Sequence, residues 1–132
     1  MEEKIKYQGS NLQDEQKEKY QHKMIRFIKE EKPYLNPELT INEFSEQVKI
    51  PSYHVSQIIN EKLNTNFINF VNQYRVEEAK TKLVDPDFSH YTIMGIAYEA
   101  GFNSKTAFYA AFKKNVGSTP SQYRKKGLSI AS

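Results

Sequence analysis

The fold of this chain is decided by one stretch near its C-terminus, Thr92-Ile-Met-Gly-Ile-Ala-Tyr-Glu-Ala-Gly101-Phe-Asn-Ser-Lys-Thr-Ala-Phe-Tyr-Ala-Ala-Phe-Lys-Lys114. Four of its residues fall at i, i+3, i+4 and i+7 and form one apolar stripe of a helix: Ile93, Ile96, Ala97 and Ala100. Gly101 follows this stripe and can adopt the left-handed backbone that ends a helix. A second apolar stripe begins beyond it, at Phe108, Ala111 and Phe112. The stretch therefore predicts two helices joined by a tight glycine turn.

The second of these helices leaves polar and basic residues outside its apolar stripe. No acidic residue follows Glu99, whereas six basic ones do: Lys105, Lys113, Lys114, Arg124, Lys125 and Lys126. Two helices joined by a turn, the second exposed and cationic, are typical of a helix-turn-helix motif that enters the major groove of DNA. An ordinary helical hairpin with a solvated basic face fits this stretch equally well.

A second copy of the pattern lies 52 residues upstream and favours the helix-turn-helix interpretation. Residues 40–50 repeat the first helix and the turn, so that Thr40 stands at the place of Thr92. Beyond the turn the offset becomes 53, and the apolar positions of 55–59 match those of 108–112. Chance helical hairpins would not share this spacing.

The first copy carries its own signals for helix ends. Thr40 and Glu43 form a capping box, and Pro51 suits the first turn of the next helix because its missing N–H costs little there. Lys49 occupies the place of Gly101. We therefore expect this turn either to take the left-handed backbone without glycine or to differ in detail.

Between the two copies, residues 67–84 repeat apolar side chains with helical periodicity. A helix of these eighteen residues is a rod of roughly 27 Å. A rod of that length can hold two recognition helices about one duplex turn apart, which is roughly 34 Å. The sequence thus predicts an all-α fold of about seven helices. Two helix-turn-helix motifs, residues 40–63 and 92–115, are joined in it by a long central helix.

The ends of the chain predict two further helices. Residues 14–31 have apolar side chains on one face, and we expect this helix to pack onto the first motif or, alternatively, to link the domain to a sensor or partner. Thr119 and Pro120 begin a closing helix, as cap and first residue, that should end near Gly127. The first dozen residues form a tail.

At this point the chain resembles the DNA-binding domain of AraC/XylS-type bacterial transcription regulators, in which two helix-turn-helix motifs are joined by a central helix. The resemblance covers about residues 34–126 and is strongest in 74–80, in 96–102 and in 112–124, where the family's closing signature is matched almost residue by residue. It implies a DNA-binding domain over residues 34–127, preceded by an N-terminal tail and helix over 1–33.

The chain departs from the family in two respects. One is Asn64, where members often carry a glycine before the central helix, and the other concerns the helices that would read bases. Many members carry an arginine on each of these helices, where this chain has Gln57 and Ala110. The fold expectation survives both changes, but the bases that the family reads cannot be carried over.

Helix geometry nevertheless selects candidate contacts, since the residues off each apolar stripe face outward. The base-contacting candidates are Tyr53, Ser56 and Gln57 on the first reading helix and Lys105 and Thr106 on the second. The phosphate-contacting candidates are Ser104, Tyr109, Lys113, Lys114 and Arg124. Tyr53 could instead be a half-buried lid on the core, and the three basic side chains could be merely solvated.

Composition excludes several other classes. There is no Cys, which fits a reducing compartment and excludes a disulfide framework or thiolate metal site. The three histidines, His22, His54 and His90, match no metal-ligand spacing, and no glycine-rich phosphate loop or nucleophile elbow is present. We therefore expect no enzyme activity, no metal and no cofactor.

Charge is unevenly distributed between the two motifs, although the net charge is only +3. Residues 38–66 carry two basic and four acidic side chains, whereas 88–132 carry six basic and one acidic. Because phosphate neutralisation dominates non-specific affinity, we expect the second motif to anchor the chain on DNA and the first to add selectivity.

The sequence as a whole predicts a sequence-specific DNA-binding domain of a transcription regulator that inserts two recognition helices into successive major grooves. The alternative is a helical protein-interaction module with the same fold and lost or weak DNA reading. The resemblance implies as partners double-stranded DNA, a sensor domain or partner outside this chain, and RNA polymerase. We expect the isolated domain to be a monomer and to lie in the cytoplasm. One alternative is that it is the cytoplasmic output domain of a membrane-anchored sensor.

Overall fold

The computed structural model describes residues 12–131, a range that holds seven α-helices and no β-strand. The helices are α1 (Asp14–Glu31), α2 (Ile41–Val48), α3 (Ser52–Glu61), α4 (Phe67–Leu83), α5 (Ile93–Glu99), α6 (Lys105–Val116) and α7 (Pro120–Ala131). Single 3₁₀ turns lie at Pro33–Leu35 and Pro86–Phe88. The predicted all-α fold is confirmed. Apart from Leu12, the predicted N-terminal tail lies outside the described residues.

Hydroxyl side chains cap three of the four helices of the two motifs, α2, α5 and α6. The Oγ1 atom of Thr40 accepts a hydrogen bond from the Glu43 amide at 3.1 Å, and Thr92 accepts one from the Gly95 amide at 2.9 Å. Ser104 does the same at the start of α6, accepting from an amide one turn later at 3.1 Å. Each bond satisfies one of the amides that a helix start leaves without an intrahelical partner.

The turns of the two motifs use the same left-handed backbone with different residues. Lys49 ends α2 with φ of 59°, and Gly101 follows α5 with φ of 101°. The first alternative for the Lys49 turn is therefore correct. Gly101 has a second reason to be glycine, because a Cβ atom there would lie 2.2 Å from the Tyr34 carbonyl oxygen.

The chain divides into two compact units. Unit 1 comprises residues up to Pro33 together with Glu38–Phe70, and unit 2 comprises Tyr34–Pro37 with Val71 onward. The first motif belongs to unit 1 and the second to unit 2. The predicted division into 1–33 and 34–127 stays a prediction about domain boundaries.

In unit 1, α1 packs against both helices of the first motif, as the simpler of the two sequence interpretations predicted. Phe44 of α2 lies at the centre of this core, with ring contacts to Phe27, Phe67 and Phe70 at centroid distances of 6.1, 5.7 and 6.2 Å. The remaining large buried side chains include Met24, Ile28, Val48, Ile50, Ile58 and Ile59.

In unit 2, a row of aromatic rings in contact packs the second motif against the last helix. Phe108 contacts Phe102 at 5.1 Å and Phe112 at 5.7 Å, and Phe112 contacts Tyr123 of α7 at 5.6 Å. The core is completed by buried aliphatic residues of α4 and α5. This packing holds the apolar stripe of α6 inward and fixes which of its residues face solvent.

A buried arginine holds the connecting segment Tyr34–Pro37 in unit 2. Arg75 is 6% exposed, and its Nε donates to the Tyr34 carbonyl at 2.7 Å while Nη2 donates to the Asn36 carbonyl at 2.9 Å. Nη1 donates to the Asn72 side chain at 2.9 Å. Burial lowers the pKa of Arg75. Its charge is thus satisfied mainly by backbone oxygens.

The side chain of Tyr34 is anchored in unit 2 as well. Its ring stacks on Tyr74 at 6.1 Å, and its hydroxyl donates to Glu78 at 3.2 Å. Burial, reinforced by the negative charge of Glu78, raises the pKa of Tyr34 to about 12. The connecting segment is therefore held through both its backbone and a side chain.

The last helix is longer than the sequence predicts. We expected α7 to end near Gly127, but it runs to Ala131 with Gly127 in its interior. A Cβ atom at Gly127 would lie 2.2 Å from Cγ1 of Val84. This glycine therefore permits close packing of α7 on the residue after α4, and its interpretation as a helix end was wrong.

Candidate nucleic-acid interface

The first reading helix, α3, exposes fewer of its predicted contacts than the stripe analysis suggested. Tyr53 is 46% exposed and lies one turn before Ser56, which is half-buried. The Tyr53 ring lies 6.0 Å from that of His54, whose own ring lies 6.2 Å from Tyr20 of α1. Tyr53 thus presents a phenol group beside the reading face of this helix, and whether it contacts DNA stays a prediction.

Gln57 does not lie where the sequence analysis placed it. It is 3% exposed, and its Nε2 donates to the Glu61 carboxylate at 3.4 Å. Glu61 in turn accepts from Nζ of Lys17 at 3.1 Å, so this side of α3 is covered by α1. The apolar stripe of α3 predicts one narrow buried face. Because α1 and α2 both pack on α3, the buried face is wider than the stripe and includes Gln57. The prediction that Gln57 faces outward is therefore wrong, and its amide is not presented to a base edge.

The second reading helix, α6, exposes a continuous face opposite its core stripe. The exposed residues on it are Lys105, Thr106, Ala107, Ala110, Lys113 and Lys114. Ala107 was not among the sequence-based candidates, although it also falls off the stripe that holds Phe108 and Ala111. The signal that would have selected it is this periodicity alone, because an alanine offers no polar group to attract notice.

The start of α6 is ordered by two local contacts. The exposed Ser104 caps the helix through its hydroxyl oxygen, and its O–H remains a donor of the kind that a phosphate accepts. Nζ of Lys105 lies 5.5 Å from the centre of the half-buried Tyr109 ring, a cation–π distance. These contacts place Ser104, Lys105 and Tyr109 at one end of the exposed face.

The basic side chains of α6 are not neutralised within the chain. In the part of the chain that the structure describes, the ion pairs of Lys17, Lys80 and Lys82 involve carboxylates of α1, α3 and α4. None of Lys105, Lys113 and Lys114 has a carboxylate within 4.0 Å among the described residues. Lys113 and Lys114 also lie in the last turn of α6, where cations favour the helix dipole. The face therefore carries uncompensated positive charge.

Arg124 does not share this arrangement. Its Nη1 donates to the Tyr91 carbonyl at 2.7 Å, and Nη2 donates to the carbonyls of Phe88 and Ser89 at 2.8 and 3.2 Å. The guanidinium fastens α7 to the loop before α5. It is thus directed at backbone oxygens, and the phosphate contact of Arg124 stays a prediction.

Residues 12–131 hold no group of three His, Cys, Asp or Glu side chains that could bind a metal ion. Within the same range no helix is long and apolar enough to cross a membrane.

Two helix-turn-helix motifs, the second with an exposed basic recognition helix, define a DNA-binding domain of a transcription regulator. A family model described as a helix-turn-helix domain matches residues 44–126. The chain belongs to this family of AraC/XylS-type helix-turn-helix domains.

Relatives of known identity agree with the family. The chain is 34% identical over 106 residues to the melibiose operon regulatory protein of Escherichia coli K12, an alignment that covers 80% of this chain and 33% of that protein. The chain spans a third or less of the length of the curated relatives it matches.

Solved structures show the same fold. The C-terminal domain of AraT, a response regulator from Geobacillus stearothermophilus, matches with a TM-score of 0.61 and 26% identity, over 89% of this chain and 88% of that one. The C-terminal domain of the two-component response regulator yesN from Fusobacterium nucleatum matches with a TM-score of 0.60 and 27% identity, over 84% and 99%.

Proposed function

We propose that this domain binds duplex DNA sequence-specifically, with α3 and α6 each inserted into a major groove. The observation that carries the proposal is the exposed face of α6, where three lysines have no acidic partner among the described residues. A recognition helix needs such a face because phosphates line both edges of the groove. The helix α4 between the motifs has 17 residues, one fewer than the 18 that the sequence predicted.

Within this proposal the two motifs contribute unequally. Lys113, Lys114 and Lys105 supply most of the electrostatic attraction, with Ser104 and Tyr109 as further phosphate contacts, and Thr106 contacts a base. In the first motif Tyr53 and Ser56 are the remaining candidates for base contacts, since Gln57 is buried.

The test is the salt dependence of binding to a duplex selected from a random library. The double variant Lys113→Gln/Lys114→Gln should bind more weakly, with a slope of log K against log salt that is less steep by about 2, at about 0.9 per lost phosphate contact. The matched control is Lys23→Gln/Lys29→Gln, which removes the same charge from exposed positions of α1. An equal loss of slope in both variants would contradict a specific role for α6.

The alternative, a helical protein-interaction module, is favoured by one feature of α5. Tyr98 is 58% exposed, a large aromatic surface that DNA binding by α6 does not require. If duplex DNA were bound too weakly to measure even at low salt, this alternative would replace the first proposal.

The regulatory setting is also a proposal. The matched structures are described as C-terminal domains of response regulators, which supports a role as the DNA-binding output of a sensing domain or partner. RNA polymerase is the further partner that transcription regulation requires, and the cytoplasm, which holds the bacterial chromosome, is the compartment. We expect the isolated domain to be a monomer. A stable dimer in light scattering at micromolar concentration would contradict that expectation.

A further inference from the structure

The exposed face of α6 is apolar in its N-terminal half and charged in its last turn. At 100° per residue, Ala110 falls at the middle of the arc opposite the buried stripe of Phe108, Ala111 and Phe112. Thr106 and Ala107 precede it on the same arc, and all three are exposed. The groups that the N-terminal half of this face presents are therefore methyl groups, together with the Thr106 hydroxyl.

The lysines lie outside this methyl-rich half of the face. Lys113 and Lys114 follow it one turn later, and Lys105 lies toward the edge, over the ring of Tyr109. The recognition helix of a helix-turn-helix motif contacts base edges with its N-terminal residues, which leaves the lysines in the last turn of α6 for phosphates. The side chains that would meet the bases thus have almost no hydrogen-bonding capacity, apart from the Thr106 hydroxyl.

A methyl surface selects for a particular chemical group on DNA. The 5-methyl group of thymine is the apolar feature of the major-groove edge, and alanine and threonine methyls are its usual partners. A base edge rich in donors and acceptors would instead lose water without gaining hydrogen bonds, which is costly.

We propose that α6 recognises 5-methylpyrimidines, with Thr106, Ala107 and Ala110 contacting the methyl groups of thymines in the major groove. This inference rests on the proposed function and narrows it from sequence-specific reading to reading by methyl contact. Lys113 and Lys114 hold the flanking phosphates and set the position of the helix in the groove.

The test replaces thymine by deoxyuracil, one position at a time, in a duplex selected by the native domain. Deoxyuracil keeps every base-pairing and groove hydrogen-bonding group of thymine and removes the 5-methyl alone. We expect Kd to rise roughly fourfold at each contacted thymine, the fold-change that corresponds to about one buried methyl group. At thymines outside the site Kd should not change.

A matched pair of variants assigns the effect to α6. Thr106→Ser removes one methyl from an exposed helical threonine and keeps the hydroxyl, and it should abolish the thymine–deoxyuracil difference at one position. Thr81→Ser makes the same change on α4, where the hydroxyl bond to the Glu77 carbonyl is retained, and it should leave that difference intact. Loss of discrimination in Thr81→Ser as well would overturn the assignment.

A cytosine arm separates the methyl group from the rest of the thymine base. Exchanging a contacted A·T pair for G·C should weaken binding, and methylating that cytosine at C5 should recover roughly fourfold. Salt-dependent, sequence-selective binding that ignored both the deoxyuracil and the 5-methylcytosine changes would overturn methyl reading and leave the proposed function standing. Absence of binding to any duplex would overturn the proposed function, and methyl reading with it.

Discussion

The two helix-turn-helix motifs place corresponding residues in opposite environments. Gln57 of α3 and Ala110 of α6 occupy the same position of the repeat, yet Gln57 is 3% exposed and Ala110 faces solvent. In unit 1 the extra helix α1 packs on α3 and covers the Gln57 side, through the Lys17–Glu61 contact. In unit 2 the extra helix α7 packs on α6 and leaves the Ala110 side open. The repeated sequence pattern therefore determines the two helices of each motif. The additional helix that packs on the motif determines which face of the recognition helix stays exposed.

The largest difference between the two motifs is expected for substitutions in their turns, at Gly101 and Lys49. Gly101→Ala should lower the free energy of unfolding by more than about 3 kcal/mol, because the strained backbone alone costs about 1–3 and the new Cβ collides with the connecting segment. Lys49→Gly, at the matching turn, should raise it by up to about 1 kcal/mol, since Lys49 already has a left-handed backbone. Urea denaturation measures the free energy of unfolding of both variants. Effects of the same sign would contradict the claim that glycine is favoured at both turns by their left-handed backbone.

The next largest effect concerns the buried arginine of unit 2. Arg75→Met should lower the free energy of unfolding by about 2–3 kcal/mol, because it leaves the carbonyls of Tyr34 and Asn36 without their charged donor. The control is Arg26→Met on α1, where an exposed pair with Glu30 contributes less than about 1 kcal/mol. Equal losses in chemical denaturation would mean that the connecting segment is not held by Arg75.

A smaller effect separates structural from DNA-binding charge within unit 2. Arg124→Gln should lower the free energy of unfolding by about 1–2 kcal/mol by removing its carbonyl contacts, and should leave the salt slope of DNA binding nearly unchanged. Lys114→Gln should do the reverse, with a slope less steep by about 0.9 and little change in stability. A slope change of that size in Arg124→Gln would restore the phosphate contact that the sequence suggested.

The smallest effect on stability is expected at Gln57, the buried residue of the corresponding pair Gln57 and Ala110. Gln57→Ala should cost about 1 kcal/mol of stability and leave the preferred DNA sequence unaltered. Ala110→Gln, the converse change on the open face, should instead create a preference for adenine at one position, since glutamine can pair with adenine through two hydrogen bonds. Selection and sequencing of bound duplexes distinguishes the two, and a changed preference in Gln57→Ala would mean that α3 reads with that residue after all.

The features that the sequence predicted correctly depend on neighbours within one turn of helix. The limits Asp14–Glu31 of α1 and the Thr40 cap follow from local backbone rules, and the left-handed turn at Lys49 is one of the two alternatives that the sequence left open. The order of helices, with two motifs and a long helix between them, followed from apolar periodicity repeated at a fixed offset.

The features that it missed depend on residues far away in the chain. Gln57 is buried because of a helix that starts 43 residues earlier, and Arg124 bonds to carbonyls 33 to 36 residues away. Gly127 is shaped by Val84. Periodicity identifies which side of a helix is apolar, but it does not say how many neighbours pack on that helix or whether a basic side chain turns toward the backbone.

The discontinuous make-up of unit 2 limits how the second motif can be moved between proteins. A fragment cut at the start of α4 would contain α5, α6 and α7, yet it would lack Tyr34–Pro37. Arg75 would then lose its two carbonyl acceptors, and Tyr74 and Glu78 their contacts with Tyr34. A gene crossover between codons 37 and 71 would divide the unit in the same way. Exchange of DNA specificity between relatives is thus physically easier by substitution on the outer face of α6 than by transfer of the whole motif.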